Sequence, residues 1–448
     1  MIIYLYSSLV GLFFISLFLS NIWLEYAIGT IVFLSIVLSF PKAKRLYKIT
    51  GGLFLLVGLL LYFQTESRII DIPLSMTSTV VLIAMFVVLP FINSIIVIGR
   101  YDRTMNKLLT VNVTNLGSFF GRTASVSYLI GMFLNIGTLP FVYQVVFSNM
   151  KELSKTLRDT FISQAMLRGY ALCLVWSPME ILVAMSIDIT GASYLSLLPW
   201  LLSFSFFLLL ITWLNGRKYK KYPFSLEQDT VDLVKVFRKI TVLLCYLILF
   251  IVVIILTGEF FELSFLETVA LIIIPYSFFW ALMIRRIRSY LTFGINAWKQ
   301  RVSNLQNYVV LFLAVGFFIQ SLNNTVYMDI LQVPFLLLME YPIAVFLFIQ
   351  LLFLGLAMVG FHPLVTMSII GELIQPMLGT IPPISIAIVL IIAGLSTVMA
   401  GPFNISVSIT GLLTNRNPYQ ISLWNLGFAF MFSSLGTGMA YLMYVLYG

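Results

Sequence analysis

The sequence predicts an all-α, polytopic membrane protein. Of its 448 residues, 60% are hydrophobic and only 10% are charged, and the mean hydropathy is +1.04. No soluble domain of this size needs so much apolar surface. Many apolar runs reach the roughly 18–20 residues that cross a bilayer as a helix. The lipid bilayer is therefore the first predicted partner, and almost no mass is expected outside it.

The net charge of +9 does not indicate a nucleic-acid partner. Lys and Arg lie in short segments between apolar runs, where they set the orientation of membrane helices. Cys173 and Cys245 fall within apolar runs and have neither metal-ligand spacing nor a disulfide framework. The sequence therefore predicts no metal and no cofactor. Residues 1–19 lack the charged start and cleavage site of a signal peptide, so they are expected to form a first span.

The basic residues favour one threading of about eleven spans, with a cytoplasmic N-terminus and an extracytoplasmic C-terminus. Of the 26 Lys and Arg residues, only Arg68 then lies on the outer side. Arg100, Arg103 and Lys107 mark one cytoplasmic segment, and residues 154–166 are expected to be an interfacial connector. The predicted spans are 2–19, 24–40, 51–61, 76–98, 170–187, 195–214, 241–256, 268–283, 308–320, 384–413 and 423–446. The wealth of Ile, Phe, Tyr and Leu suggests a bacterial cell membrane.

Four interruptions divide apolar runs of this chain. Residues 122–148 and 343–379 each contain a Gly/Pro-rich centre and predict two re-entrant hairpins that enter from opposite sides. The spans 170–187 and 384–413 are broken at Ser177-Pro178 and Gly401-Pro402. Proline removes a backbone donor and clashes with the preceding turn. In hydrocarbon, the freed carbonyl groups need partners in protein or in a water-lined cavity.

The interruptions recur at one spacing in the two halves. Gly137-x-x-Pro140 aligns with Gly360-x-x-Pro363 at an offset of 360 − 137 = 223, and Pro178 aligns with Pro402 at an offset of 402 − 178 = 224. Because the two hairpins enter from opposite sides, the repeats are predicted to be inverted. Inverted repeats with discontinuous helices are typical of secondary transporters. The alternative, prolines that merely kink packed helices, explains one break more readily than four in register.

The repeat predicts four segments. Residues 1–107 and 214–322 would form scaffold helices, the latter range including the longest cytoplasmic loop. Residues 108–213 would be a first transport repeat with hairpin 122–148 and broken helix 170–187. Residues 323–448 would be a second, with hairpin 343–379 and broken helix 384–413.

In this architecture the chain resembles the ion transporter superfamily, which includes divalent anion/sodium symporters and arsenite-pump-like permeases. Members typically carry a Ser-Asn-Thr-type tip in each hairpin. Here the tips read Asn135-Ile136-Gly137-Thr138 and Val359-Gly360-Phe361-His362, so only the first retains an Asn and a Thr. The resemblance implies a mobile transport domain, an elevator-like movement, and a scaffold that commonly forms a homodimer.

The broken helices suggest an anion site. A half-helix starting at Pro178 and another at Pro402 would each present free N–H groups and a partial positive charge. The carbonyl ends before each break suit a cation. The candidate substrate-binding residues lie at the four interruptions: Asn135, Gly137, Thr138, Ser177, Pro178, Glu180, Gly360, His362, Gly401, Pro402 and Asn404.

Two of these residues are also candidates for ion coupling. Glu180 is an ionisable group at membrane depth, although Ser177-x-x-Glu180 equally fits a capping box. His362, the only histidine, titrates near neutral pH but equally suits a structural role in a hairpin tip. Arg122, Arg168 and Glu372 are weaker candidates, the two arginines being expected chiefly to anchor the topology.

The predicted function is secondary active transport of a small organic or inorganic anion, coupled to H⁺ or Na⁺ by alternating access. A second hypothesis is a flippase or exporter of a lipid-linked or amphipathic substrate, since the expected site has few charges. A membrane enzyme is disfavoured, because the predicted outer loops are too short to carry a catalytic constellation.

Overall fold

The computed structural model describes residues 2–65, 68–101, 108–110, 113–226, 233–323 and 325–448. Arg103 and Lys107 lie outside the described residues. The described chain is helical, and its β-type pairing is an isolated bridge between Asn115 and Pro223. The first ten helices are α1 Ile2–Ser16, α2 Ile22–Ser39, α3 Arg45–Tyr62, α4 Val80–Ile98, α5 Leu116–Leu134, α6 Thr138–Asn149, α7 Lys155–Leu174, α8 Ile181–Thr190, α9 Tyr194–Gly216 and α10 Leu233–Phe261. The remainder are α11 Phe265–Met283, α12 Ile287–Val302, α13 Gln306–Asn323, α14 Val326–Leu338, α15 Pro342–Val359, α16 Pro363–Leu373, α17 Pro383–Ala400, α18 Ile405–Thr414 and α19 Pro418–Tyr447.

The chain is an all-α multi-pass membrane protein. Among the described residues, ten helical stretches are long and apolar enough to cross a membrane: Ile22–Lys42, Arg45–Tyr62, Ile69–Ile98, Tyr194–Tyr219, Val234–Phe261, Phe265–Met283, Gln306–Asn323, Pro342–Val359, Pro383–Thr414 and Pro418–Tyr447. Shorter apolar helices are α1, α8, α14 and α16. The predicted break in the span 170–187 is present, since α7 ends at Leu174 and the ten-residue α8 begins at Ile181. One difference concerns α15, which was expected to be the first arm of a re-entrant hairpin. It has 18 residues, which rise about 27 Å, and it is long and apolar enough to cross the membrane.

The chain divides into two compact units. The first comprises residues 1–98, 250–337 and 368–376. Its core is built on α13, which packs along α3, and on α4, which packs against α11 and α12. Glycines permit this close approach: a Cβ at Gly51 would lie 2.7 Å from Val310, and one at Gly58 would lie 3.0 Å from Phe317.

The second unit comprises residues 99–249, 338–367 and 377–448. At its centre is α17, whose residues from Ser385 to Ala400 are all buried, and which packs against α8, α15 and α19. In the same unit α5 packs closely on α7, because Gly131 faces Cys173 and Gly169 faces the Ala124 carbonyl group. All four helix interruptions lie in this second unit.

One sequence expectation was wrong in this part of the chain. Residues 154–166 do not form a separate interfacial connector, because they belong to the continuous 20-residue helix α7. Its buried residues, from Asp159 to Leu174, pack against α5 and α6. In the first unit, the segment after α11 contains the helix α12.

Candidate functional site

The first break separates α7 from α8 at residues 175–180. The Ser177 amide donates to the Leu174 carbonyl at 3.2 Å, and the Glu180 amide donates to the Ser177 carbonyl at 3.1 Å. Pro178 therefore sits at the second position of a β-turn, where its fixed φ is favourable. The expectation that a half-helix starts at Pro178 was wrong: the proline forms the turn, and α8 begins at Ile181.

The second break has the same construction. The Asn404 amide donates to the Gly401 carbonyl at 2.9 Å, which places Pro402 at the second position of a turn. The half-helix α18 therefore begins at Ile405 and not at Pro402 as predicted. A Cβ at Gly401 would lie 2.9 Å from the Thr397 carbonyl oxygen, so this backbone passes too close to the preceding turn for a larger residue.

The two half-helices α8 and α18 match in length and in both caps. Each has ten residues, and their starts and ends differ by 405 − 181 = 224 and 414 − 190 = 224. Each C-cap is left-handed, with φ 68° at Gly191 and 52° at Asn415. The helices that follow also begin at this offset, since 418 − 194 = 224. The offset found between the short motifs of the two halves therefore also relates the boundaries of these helices.

The N-cap positions carry the two residues that distinguish the halves. Glu180 accepts from the Leu182 amide at 3.5 Å, and Asn404 accepts from the Ser406 amide at 3.2 Å. The predicted capping box with Ser177 as N-cap was wrong, because the turn shifts the N-cap to Glu180. Both N-caps are partly buried. Each half-helix thus begins with oriented N–H groups beneath one side-chain oxygen, which is a carboxylate in the first half and an amide in the second.

Polar side chains satisfy the carbonyl groups freed around the first break. Tyr194 donates to the Trp176 carbonyl at 2.7 Å, and Ser205 donates to the Leu172 carbonyl at 2.7 Å. The Trp176 indole donates to the Tyr128 hydroxyl at 2.7 Å. These groups are buried, so protein side chains supply the hydrogen-bond partners that water would otherwise provide. In the second break, the Ser406 hydroxyl plays this part by donating to the Val398 carbonyl.

The tip of the first hairpin is the turn Asn135–Gly137 between α5 and α6. Asn135 has a φ of 47°, which Asn tolerates better than most residues. Its side-chain oxygen accepts from the Ile136 amide at 2.7 Å and from the Tyr170 hydroxyl at 2.8 Å. Gly137 is exposed, whereas the Thr138 hydroxyl is fully buried without a hydrogen-bond partner. Asn135 thus maintains the turn and joins it to α7.

The tip of the second hairpin lies at residues 360–362. Gly360 ends α15 with a φ of 112°, a conformation that favours glycine. His362 accepts from the Leu364 amide through Nδ1 at 3.3 Å, so it caps the start of α16. A Cβ at Gly360 would lie 3.7 Å from the Phe403 ring. This tip therefore lies beside the second break.

Contacts also connect each half-helix with the opposite repeat. The half-helix α18 packs against α6, the second arm of the first hairpin. Ser186 of α8 lies 3.7 Å from the Met367 sulfur on α16, the second arm of the other hairpin. Leu182 at the start of α8 also contacts α17 at Gly394. The structure therefore gathers the predicted substrate-binding residues into neighbouring elements of one unit. Glu372 lies in the first unit, where it accepts from Asn323 at 3.1 Å.

Comparison with solved structures finds a protein with this architecture. The YdaH transporter of Alcanivorax borkumensis, reported to have an unusual topology, aligns with a TM-score of 0.60 over 87% of this chain and 97% of that chain, at 14% identity. This chain therefore shares the fold of that protein. No protein family and no curated protein matches the sequence.

Sequence reasoning missed a buried polar cluster between α7 and α19. The Arg168 guanidinium donates to the Asn425 side chain at 3.2 Å and to the Trp424 carbonyl at 3.4 Å. It also lies 4.5 Å from the centre of the Phe428 ring. Asn425 in turn donates to Ser163 at 2.9 Å. Arg168, expected chiefly to anchor the topology, is only 5% exposed and joins two helices far apart in sequence.

Gln164 extends this cluster by one helical turn. Its amide nitrogen donates to the Trp424 carbonyl at 2.8 Å, and its oxygen accepts from Lys218 at 2.6 Å and from Tyr219 at 3.0 Å. The i, i+4 spacing of Gln164 and Arg168 on an otherwise buried helix was the available sequence signal. Their partners could not be read from that spacing.

A buried ion pair holds the end of the second half-helix. Asp159, with a side chain 1% exposed, accepts from Arg416 at 2.8 Å and from Arg158 at 3.3 Å. Arg416 directly follows the left-handed C-cap Asn415. The pair therefore joins the first turns of α7 to the loop that leaves α18.

Proposed function

We propose that this chain is a secondary active transporter that moves a small organic or inorganic anion across the cytoplasmic membrane. The observation that carries the proposal is the pair of ten-residue half-helices that begin at Glu180 and Asn404 and share both boundaries at one offset. Two matched discontinuous helices in an all-α membrane protein are a transporter feature. The fold shared with the YdaH transporter supports the same function.

The half-helices supply the anion-binding groups. Their first N–H groups have no partner within the helix, and the helix dipole adds a partial positive charge at the same end. A carboxylate, phosphate or sulfate is the ligand that these groups favour. Asn404 adds an amide donor without charge, whereas ionised Glu180 would repel an anion.

Glu180 is therefore the proposed coupling residue. When Glu180 is protonated, the first half-helix can accept an anion without repulsion, so proton and anion bind together. Na⁺ is the alternative coupling ion, because carbonyl groups around both breaks are suitable ligands. His362 is a weaker proton site, since its Nδ1 already caps α16.

The proposed movement is alternating access through an inverted repeat. Each half-helix contacts the second hairpin arm of the other repeat: α18 packs against α6, and Ser186 of α8 lies near Met367 of α16. A two-fold relation between the repeats would produce this pair of contacts. The second unit, which contains the four interruptions, would be the mobile transport domain of an elevator-like mechanism. We propose the first unit as the scaffold and the dimer contact, with the N-terminus cytoplasmic and the C-terminus outside. Membership of the ion transporter superfamily is part of this proposal.

Transport and coupling are testable in proteoliposomes. We expect a panel of small carboxylates, phosphate and sulfate to contain an anion whose inward movement is driven by an imposed pH gradient. Glu180→Gln should abolish the dependence on that gradient. Glu259→Gln is the matched control, because it makes the same change at an exposed position of the first unit. If Glu180→Gln transports like the wild type at every pH, the coupling assignment is wrong. If only amphipathic lipid-linked compounds are moved, the flippase hypothesis replaces the anion carrier.

A further inference from the structure

The helix α12 has the properties of a membrane-surface element. It connects α11 and α13, two stretches that are each long and apolar enough to cross the bilayer, so the segment 284–305 begins and ends on one side. The segment contains no Asp or Glu. Its five basic residues are Arg285, Arg286, Arg288, Lys299 and Arg301. Positive charge without compensation at a membrane boundary suits an anionic partner.

One face of α12 is fully engaged with protein. Tyr290 is buried and shares a 2.6 Å hydrogen bond with Ser277 of α11. A Cβ at Gly294 would lie 3.5 Å from Phe91 of α4, and the Trp298 ring lies 6.4 Å from the same Phe91 ring between centroids, tilted by 35°. These residues recur every four positions, so they mark the face that packs on α4.

Two of the five basic residues also belong to the protein-facing side. Arg286 donates to the Ile98 carbonyl at the end of α4, at 3.0 Å. Arg301 lies 5.7 Å from the ring centres of both Phe86 and Tyr308. Both side chains therefore stabilise helix packing. Arg286 is exposed despite its bond to Ile98, and Arg285, Arg288 and Lys299 are exposed as well.

The outer face of α12 places apolar and basic side chains side by side. Leu291 and Ile295 are 43% and 39% exposed, and at 3.6 residues per turn they point about 40° apart. Arg288 and Lys299 lie within about a further 40° around the same helix. An apolar strip directly beside a basic strip is the pattern of a helix lying in the interfacial plane, with its apolar side toward the acyl chains and its charges among headgroups.

We propose that α12 lies in the membrane interface and that Arg285, Arg288 and Lys299 bind the headgroups of anionic phospholipids. The lipid phosphate is the chemical group recognised, and the apolar strip excludes a free anion as the intended partner. Each basic side chain close to an anionic surface contributes about fivefold to the affinity. Loss of all three should therefore weaken lipid binding by about two orders of magnitude.

The affinity is measured on the full chain in detergent, by titrating phosphatidylglycerol and following the temperature of unfolding. We expect the triple variant Arg285→Gln/Arg288→Gln/Lys299→Gln to require about a hundredfold more lipid for half of the stabilisation. The matched control is Lys42→Gln/Lys44→Gln/Arg45→Gln, which removes equal charge from exposed positions of the same unit and should shift the midpoint less than twofold. Phosphatidylcholine and soluble glycerol phosphate should not stabilise the wild type.

Equal shifts for both triple variants would overturn the proposal, because the effect would then be one of general charge. Stabilisation by glycerol phosphate would overturn it too, since the site would then recognise a free anion.

A second measurement locates the helix without depending on affinity. Spin labels at Leu291→Cys, Ile295→Cys and Asn296→Cys, in a Cys245→Ser background, are compared in vesicles for access to oxygen and to a water-soluble nickel complex. Labels at 291 and 295 should be reached preferentially by oxygen, and the label at 296 by nickel. Nickel access at all three positions would refute the interfacial placement and favour an acidic protein as the partner.

Discussion

The buried ion pair between Asp159 and Arg416 provides a quantitative test of how the second half-helix is held. Substituting Asp159→Asn preserves the shape of the side chain but leaves Arg416 without a compensating charge. The carboxylate is 1% exposed and accepts from two arginines at 2.8 and 3.3 Å. Removing one partner of a buried pair typically costs about 3–5 kcal/mol, because the remaining charge stays desolvated.

That cost converts to a change in melting temperature. An unfolding entropy of about 2.1 cal/mol/K per residue, taken over 448 residues, amounts to about 0.9 kcal/mol/K. Asp159→Asn should therefore lower the midpoint of thermal unfolding in detergent by about 3–5 °C. Asp329→Asn, the same substitution at an exposed position in the first turn of α14, should change it by about 1 °C or less.

A double-mutant cycle separates the pair from other effects of the substitution. Once Asp159 is neutral, Arg416→Gln removes the uncompensated charge, so the double variant should melt at or above the midpoint of Asp159→Asn alone. Additive losses would show that the two side chains do not depend on each other. A shift of Asp159→Asn no larger than that of the exposed control would refute the reasoning from burial.

Two further substitutions test how α5, α6 and α7 pack. Gly169→Ala should destabilise the protein by about 3 kcal/mol in a thermal melting assay, because the new Cβ would meet the Ala124 carbonyl group. The control is Gly427→Ala, where a Cβ has open space around it. This control should be neutral or slightly stabilising in the same assay. Tyr170→Phe removes a 2.8 Å hydrogen bond to Asn135 worth about 1 kcal/mol. Amide hydrogen exchange at the Asn135–Gly137 turn should therefore become about fivefold faster. An unchanged exchange rate would show that the Tyr170 hydroxyl does not hold the hairpin tip.

Local chemistry explains why the breaks were predictable and their details were not. Pro178 and Pro402 cannot continue a helix, so the interruptions follow from the residue type. The same residues fit the second position of a turn equally well. In both halves the proline lies in the turn, and the half-helices begin at Ile181 and Ile405. This arrangement makes Glu180 an N-cap, whereas the sequence pattern had suggested Ser177.

The helix α12 escaped prediction because it carries too many polar residues to resemble a span. Tyr290, Gly294, Trp298 and Val302 recur at a spacing of four, which was the available signal for one buried face. This spacing is a weak indication of a packed helix, because the three arginines at the start of the segment are more typical of a loop outside the membrane. Its packing partner, α4, lies about 200 residues earlier in the chain.

By itself, the sequence determined the class of protein, the four interruptions and their repeat. Hydropathy is a property of each segment, and the effects of Gly and Pro act on their own backbone, so both can be read locally. The tertiary structure alone decided which polar groups meet. Arg168 finds Asn425 and Asp159 finds Arg416 across 257 residues in each case. Such pairs depend on how distant helices pack, and no spacing along one helix specifies a partner on another.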